Sequence, residues 1–126
     1  MSKTILIVED EASIRSFVKA YLESDGFRVL DAANGKEGLE ILSKETPDLI
    51  VSDIMMPQMD GYEFFRELRA RPALKDVPVI ILTVKDEFND IKFAYLLGVE
   101  EYITKPFEPS VLSSRIRHIL EKGVAS

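Results

Sequence analysis

The stretch LIVSDIMMPQMDGYEFF, Leu49 to Phe65, decides how the rest of the chain is read. An apolar run ends in an aspartate, Asp53, and Met-Met-Pro follows at once. An ionised carboxylate at the edge of a core is costly unless something pairs with it. Asp53 is therefore either a turn residue, a role that suits Asp, or a group held there for chemistry. What the chain brings alongside it separates the two.

Short β-rich runs and amphipathic helical runs alternate on both sides of that stretch, with no repeat and no linker. Thr4–Val8 is a buried strand: apolar, β-branched and bounded by charge. Glu11 to Glu23 places Ile14, Phe17, Val18, Tyr21 and Leu22 on one helical stripe facing inward, and Ser24-Asp25-Gly26 stops it. Arg28–Ala32 is a second strand, and Asn34-Gly35 opens a helix with Leu39 and Leu42 inward. Leu49–Ser52 is the third strand, and Gly61 opens a helix with Phe64, Phe65 and Leu68 on one side. Val79–Leu82 is the fourth strand. A helix from about Glu87 to Leu97 ends at Gly98, a C-cap glycine. Glu101–Thr104 is a short fifth strand, and Pro109 begins a last helix with Leu112, Ile116, Ile119 and Leu120 inward. Such an α/β alternation predicts a five-stranded parallel sheet with helices on both faces. Ligands in these sheets bind outside the carboxyl ends of the strands.

The residues just past those ends form an unusual set. Strand one is followed by Glu9-Asp10-Glu11, strand three by Asp53, strand four by Thr83 and strand five by Thr104-Lys105-Pro106. Strand two ends in Ala32-Ala33, which are inert. Carboxylates crowded together repel one another and protonate unless a cation neutralises them. One ammonium group, Lys105, is too little charge for the acidic set, so a divalent ion is implied. Hard oxygen ligands suit Mg²⁺ better than zinc or copper. Glu11 is best read as complementing the N-terminus of the following helix. His118, in the last helix, is remote from the strand ends.

These residues resemble the receiver domain of two-component response regulators, from Lys3 to about Leu120. The resemblance rests on Val8-Glu9-Asp10-Glu11, Asp53-Ile54-Met55-Met56-Pro57 with Met59-Asp60-Gly61, Thr83, and Tyr102-Ile103-Thr104-Lys105-Pro106-Phe107. It implies a flavodoxin-like, doubly wound (βα)5 fold of strand order 2-1-3-4-5, with residues 1–122 as the domain and 123–126 as a disordered tail. It implies that Asp53 accepts a phosphoryl group from a phosphohistidine on a sensor histidine kinase or phosphotransfer protein. Glu9, Asp10, the Asp53 carboxylate and the Met55 backbone carbonyl would hold Mg²⁺. Lys105 would add charge, Thr83 a hydrogen bond, and a cis bond before Pro106 would aim the amine inward. Thr83 and Tyr102 would form a switch acting on the face made by the Glu87–Leu97 helix, the fifth strand and the last helix. That face would bind an output partner or a second copy, and Phe93-Ala94-Tyr95-Leu96-Leu97 gives it apolar surface. Such a domain is not an enzyme in the ordinary sense, although it promotes its own phosphorylation and dephosphorylation.

Two departures stand out. Val84 occupies a position that is usually small in the family, and the acidic pair is Glu-Asp rather than Asp-Asp. The rival reading is a receiver-shaped interaction module that is never phosphorylated, with Val84 as its best support. A haloacid-dehalogenase-like phosphatase fits less well, because the second Asp it needs falls on Met55. No Walker or dinucleotide glycine pattern is present. With 126 residues, no cysteine and a net charge of −6, the chain is expected to be one cytoplasmic domain without disulfides, membrane spans or direct nucleic-acid binding.

Overall fold

A computed structural model describes residues 2–53, 61–84 and 100–125. The strands are β1 (Thr4–Val8), β2 (Arg28–Ala32), β3 (Leu49–Asp53), β4 (Val79–Val84) and β5 (Glu101–Lys105). The helices are α1 (Ala12–Ser24), α2 (Gly35–Leu42), α3 (Gly61–Ala70) and the C-terminal α4 (Pro109–Ala125). All strand pairs are parallel, and the sheet order is β2-β1-β3-β4-β5. The expected topology is therefore observed. The expected Glu87–Leu97 helix, its cap Gly98 and the loop around Met55 lie outside the described residues.

Successive side chains of a strand point to opposite faces of the sheet, and that alternation divides the core in two. Leu6, Val8, Ile50 and Ile81 pack with Phe64, Phe65 and Leu68 of α3 and Leu42 of α2. Ile5, Ile7, Val51, Ile80 and Leu82 pack instead with Val18 and Leu22 of α1 and Leu112 and Ile116 of α4. The fully apolar runs of β1 and β3 reflect this burial on both faces.

Local signals set the element ends. Asn34 caps α2 by accepting from the Glu37 N–H, and the Glu37 carboxylate accepts from the Ala33 N–H. Gly26 takes a φ of 99°, the left-handed conformation that lets α1 turn into β2. Asp25 at that turn accepts from the Ser113 hydroxyl and pairs with Arg117, tying α1 to α4.

Two expectations need correction. Phe17 is 59% exposed instead of facing inward, because it sits at the edge of the α1 stripe beside an apolar groove reaching Pro106 and Phe107. β3, β4 and β5 run past their apolar cores, to Asp53, Val84 and Lys105. Parallel ladders bind main chain to main chain whatever the side chain is, and here they pair Asp53 with Leu82, Thr83 with Thr104 and Val84 with Lys105. The last helix, α4, runs to Ala125.

Candidate functional site

Register brings the site together. Val8 is level with both Ala32 and Ser52, so the next residues, Glu9 and Asp53, stand at one height on neighbouring strands. Asp53 follows the alternation of Leu49 and Val51, and Lys105 that of Ile103, so both lie on the α1–α4 side of the sheet. The Lys105–Pro106 peptide bond is cis.

The Lys105 ammonium donates 2.6 Å to Glu9 Oε1 and 2.8 Å to Asp53 Oδ2. Glu9 is 1% and Asp53 5% exposed, an unusual degree of burial for carboxylates. One ammonium thus joins residues 96 and 52 positions away from it in the chain. Asp10 completes the group: one oxygen from each of Glu9, Asp10 and Asp53 lies within 4.8 Å of the others. Partial burial, then the hydrogen bond and like charge of Glu9, push the Asp10 carboxyl above the ordinary range. Burial alone would lower Lys105, but its hydrogen bonds and ion pairs with Asp53 and Glu9 outweigh that and raise it.

Three converging carboxylates against one ammonium leave surplus negative charge on hard oxygen donors. That donor set fits Mg²⁺. The strand-end carboxylates and amine are brought together as the sequence implied. Thr83, in register beside Thr104, lies one strand from Lys105. Tyr102 is half-buried against the α2–α3 core. Met55 lies outside the described residues. Among the described residues, His118 stands far from this cluster, in a pocket with Asp76 and Glu100.

Sequence reasoning missed a layer behind the carboxylates. Arg15 donates 2.7 Å from a terminal nitrogen to the Glu9 main-chain carbonyl, while its Nε pairs with Asp31 at 3.3 Å. Lys19 holds the other Asp31 oxygen at 3.0 Å. The signal was present: Arg15 and Lys19 are one helical turn apart, which puts two cations on one face of α1.

The response regulator receiver domain family matches residues 5–117. The chain belongs to that family. It is a signalling receiver domain of two-component systems. Among relatives, it is 43% identical over 118 residues to the probable transcriptional regulator ycf27 of Porphyridium aerugineum, covering 94% of this chain and 48% of that one. The receiver thus spans about half the length of the curated relatives it matches. Among solved structures, it resembles the signal receiver domain of a signal transduction histidine kinase from Syntrophus aciditrophicus. The TM-score is 0.88 at 38% identity, over 96% of this chain and 92% of that one. The receiver domain of sensor histidine kinase PA1611 from Pseudomonas aeruginosa, solved with a magnesium ion coordinated in its active-site cleft, gives a TM-score of 0.83 at 30% identity over all of both chains. Among the described residues, no helix is long and apolar enough to cross a membrane.

Proposed function

We propose that this receiver domain is a phosphoacceptor whose acceptor is Asp53. The observation that carries the proposal is the Lys105 ammonium bridging two buried carboxylates, Glu9 and Asp53, with Asp10 alongside. A sensor histidine kinase or a phosphotransfer protein would supply the phosphoryl group from a phosphohistidine. The P–N bond breaks, an Asp53 carboxylate oxygen forms the new P–O bond, and the imidazole leaves with the electron pair.

Phosphoryl transfer needs alignment and charge neutralisation more than covalent help. Glu9, Asp10, the Asp53 carboxylate and the Met55 carbonyl would hold Mg²⁺, which when bound neutralises charge on the phosphoryl oxygens. Lys105 keeps the acceptor oxygen oriented and balances part of the acidic charge before transfer. Thr83 would donate a hydrogen bond to a phosphoryl oxygen.

Phosphorylation adds charge and acceptor oxygens to a crowded site. Thr83 and Tyr102 would respond together and shift the population between two packings of the β5–α4 face. An output partner or a second copy would read that face, and the domain would act in the cytoplasm. Sedimentation at several concentrations, with and without a phosphoryl mimic, tests self-association. A monomer throughout would remove the second copy.

Incubation with acetyl phosphate or a cognate kinase in Mg²⁺, comparing the natural chain with Asp53→Asn, tests the acceptor. Added phosphate mass on the natural chain alone is expected. No gain on either protein would favour an interaction module that is never phosphorylated.

A further inference from the structure

The geometry points to Arg15 as a positioning residue that fixes the Glu9–Asp10 turn for divalent-cation binding. The inference rests on the reading of Glu9, Asp10 and Asp53 as a magnesium site, and adds to it a residue that ligates nothing.

Glu9 and Asp10 sit between the end of β1 and the start of α1, where neither ladder nor helix satisfies the main chain automatically. Glu9 is nevertheless held at both main-chain groups from the direction of β2. Its N–H donates 3.0 Å to the Ala32 carbonyl, and its carbonyl accepts 2.7 Å from Arg15. Arg15 in turn is braced on Asp31 of β2, whose second oxygen Lys19 occupies. β2, through the Ala32 carbonyl and Asp31, thus holds the main chain at Glu9, next to Asp10. A guanidinium suits this role, because its fixed fork can serve a carbonyl and a carboxylate at once. The Arg15 side chain is only 19% exposed, so the brace is sheltered from competing water.

A cation near an acidic cluster could also act merely as a counter-charge, and the two roles have opposite signs. Deleting a counter-charge strengthens divalent-cation binding, since the site becomes more negative. Deleting a brace weakens it, because outer-shell partners of metal ligands are typically worth about 10–100-fold in affinity.

The test is a magnesium chloride titration of the isotope-labelled chain, following backbone amide shifts by NMR. Arg15→Met should bind Mg²⁺ about tenfold more weakly than the natural chain. Arg15→Lys should recover part of the loss, and Asp31→Asn should show a smaller loss in the same direction. Lys19→Met, which touches Asp31 but not Glu9, should stay within about twofold, well below the range for such partners. Equal or tighter binding by Arg15→Met overturns the inference, as does a Lys19→Met loss equal to that of Arg15→Met. Circular dichroism checks that each variant is folded. If Arg15→Met is not, Asp31→Asn decides, and an unchanged affinity there overturns the inference. Absence of any saturable shift in the natural chain sinks the magnesium reading itself, an outcome distinct from a natural chain that binds while its variants do not differ.

Discussion

Replacing Lys105 with Met should destabilise the fold in metal-free buffer by about 3 kcal/mol. The substitution keeps the aliphatic stem and removes the ammonium that lies 2.6 Å from Glu9 and 2.8 Å from Asp53. Each hydrogen bond to a charged group is worth about 1.5–3 kcal/mol, giving a ceiling near 6 for the pair. The real loss should fall toward the lower bound, about 3 kcal/mol, because the carboxylates can protonate or admit water once the ammonium is gone. Urea unfolding in EDTA reads this directly. With a slope of about 1.5–2 kcal/mol/M, the midpoint should drop by roughly 1.5–2 M at unchanged slope. Adding magnesium should then narrow the gap, because the variant retains all three carboxylates and lacks their internal cation. A loss below about 1 kcal/mol in EDTA would refute the coupling of Lys105 to the buried pair. A gap indifferent to magnesium would refute the claim that the cluster is a cation site.

Three further predictions concern the scaffold. The hydrogen bond from Ser113, then that from Arg117, holds the Asp25 carboxyl below the ordinary range. Its ionised form therefore stabilises the fold, fully above the unfolded value of about 3.9, and the contribution is lost as pH falls through the lower folded value. Asp25→Asn should lower the melting temperature at pH 7 and converge with the natural chain as pH drops below about 4; a pH-independent gap would count against this. A Cβ on Gly38 would stand 3.2 Å from both Phe64 and Val8, which are fully buried. Overpacking of about 1–3 kcal/mol should exceed the roughly 1 kcal/mol helix-propensity gain, so Gly38→Ala should lower the urea midpoint. Phe17→Ser, at a 59% exposed position, should change stability by no more than about 0.5 kcal/mol in the same assay.

Side-chain identity and spacing carried most of the architecture. Apolar runs such as Thr4–Val8 and Leu49–Val51 are buried on both sides, and this is what distinguishes a parallel sheet from a half-exposed one. The acidic cluster was legible because strand ends in a parallel sheet share one edge, so polar residues after each apolar run must meet there. The strand order came with the family resemblance, since periodicity carries no information about which strands are neighbours. Phe17 misled because a stripe read at helical spacing has a centre and an edge, and only the centre, Val18 and Leu22, meets the sheet. The cationic face that Arg15 shares with Lys19 was legible, but what Arg15 holds was not. Besides Asp31 it holds the Glu9 main-chain carbonyl, and no residue type advertises a carbonyl contact.

The ammonium of Lys105 lies near the end of the last strand, yet it balances charges laid down at positions 9 and 53. Until that strand has docked, the acidic groups of Glu9 and Asp53 lack the ammonium that bridges them in the folded sheet. A truncated or still-emerging polypeptide would hold Asp53 without its Lys105 partner. On the proposed assignment of Asp53 as acceptor, competence to take a signal would arrive only once β5 has docked, and the chemistry would double as a check that the sheet is complete.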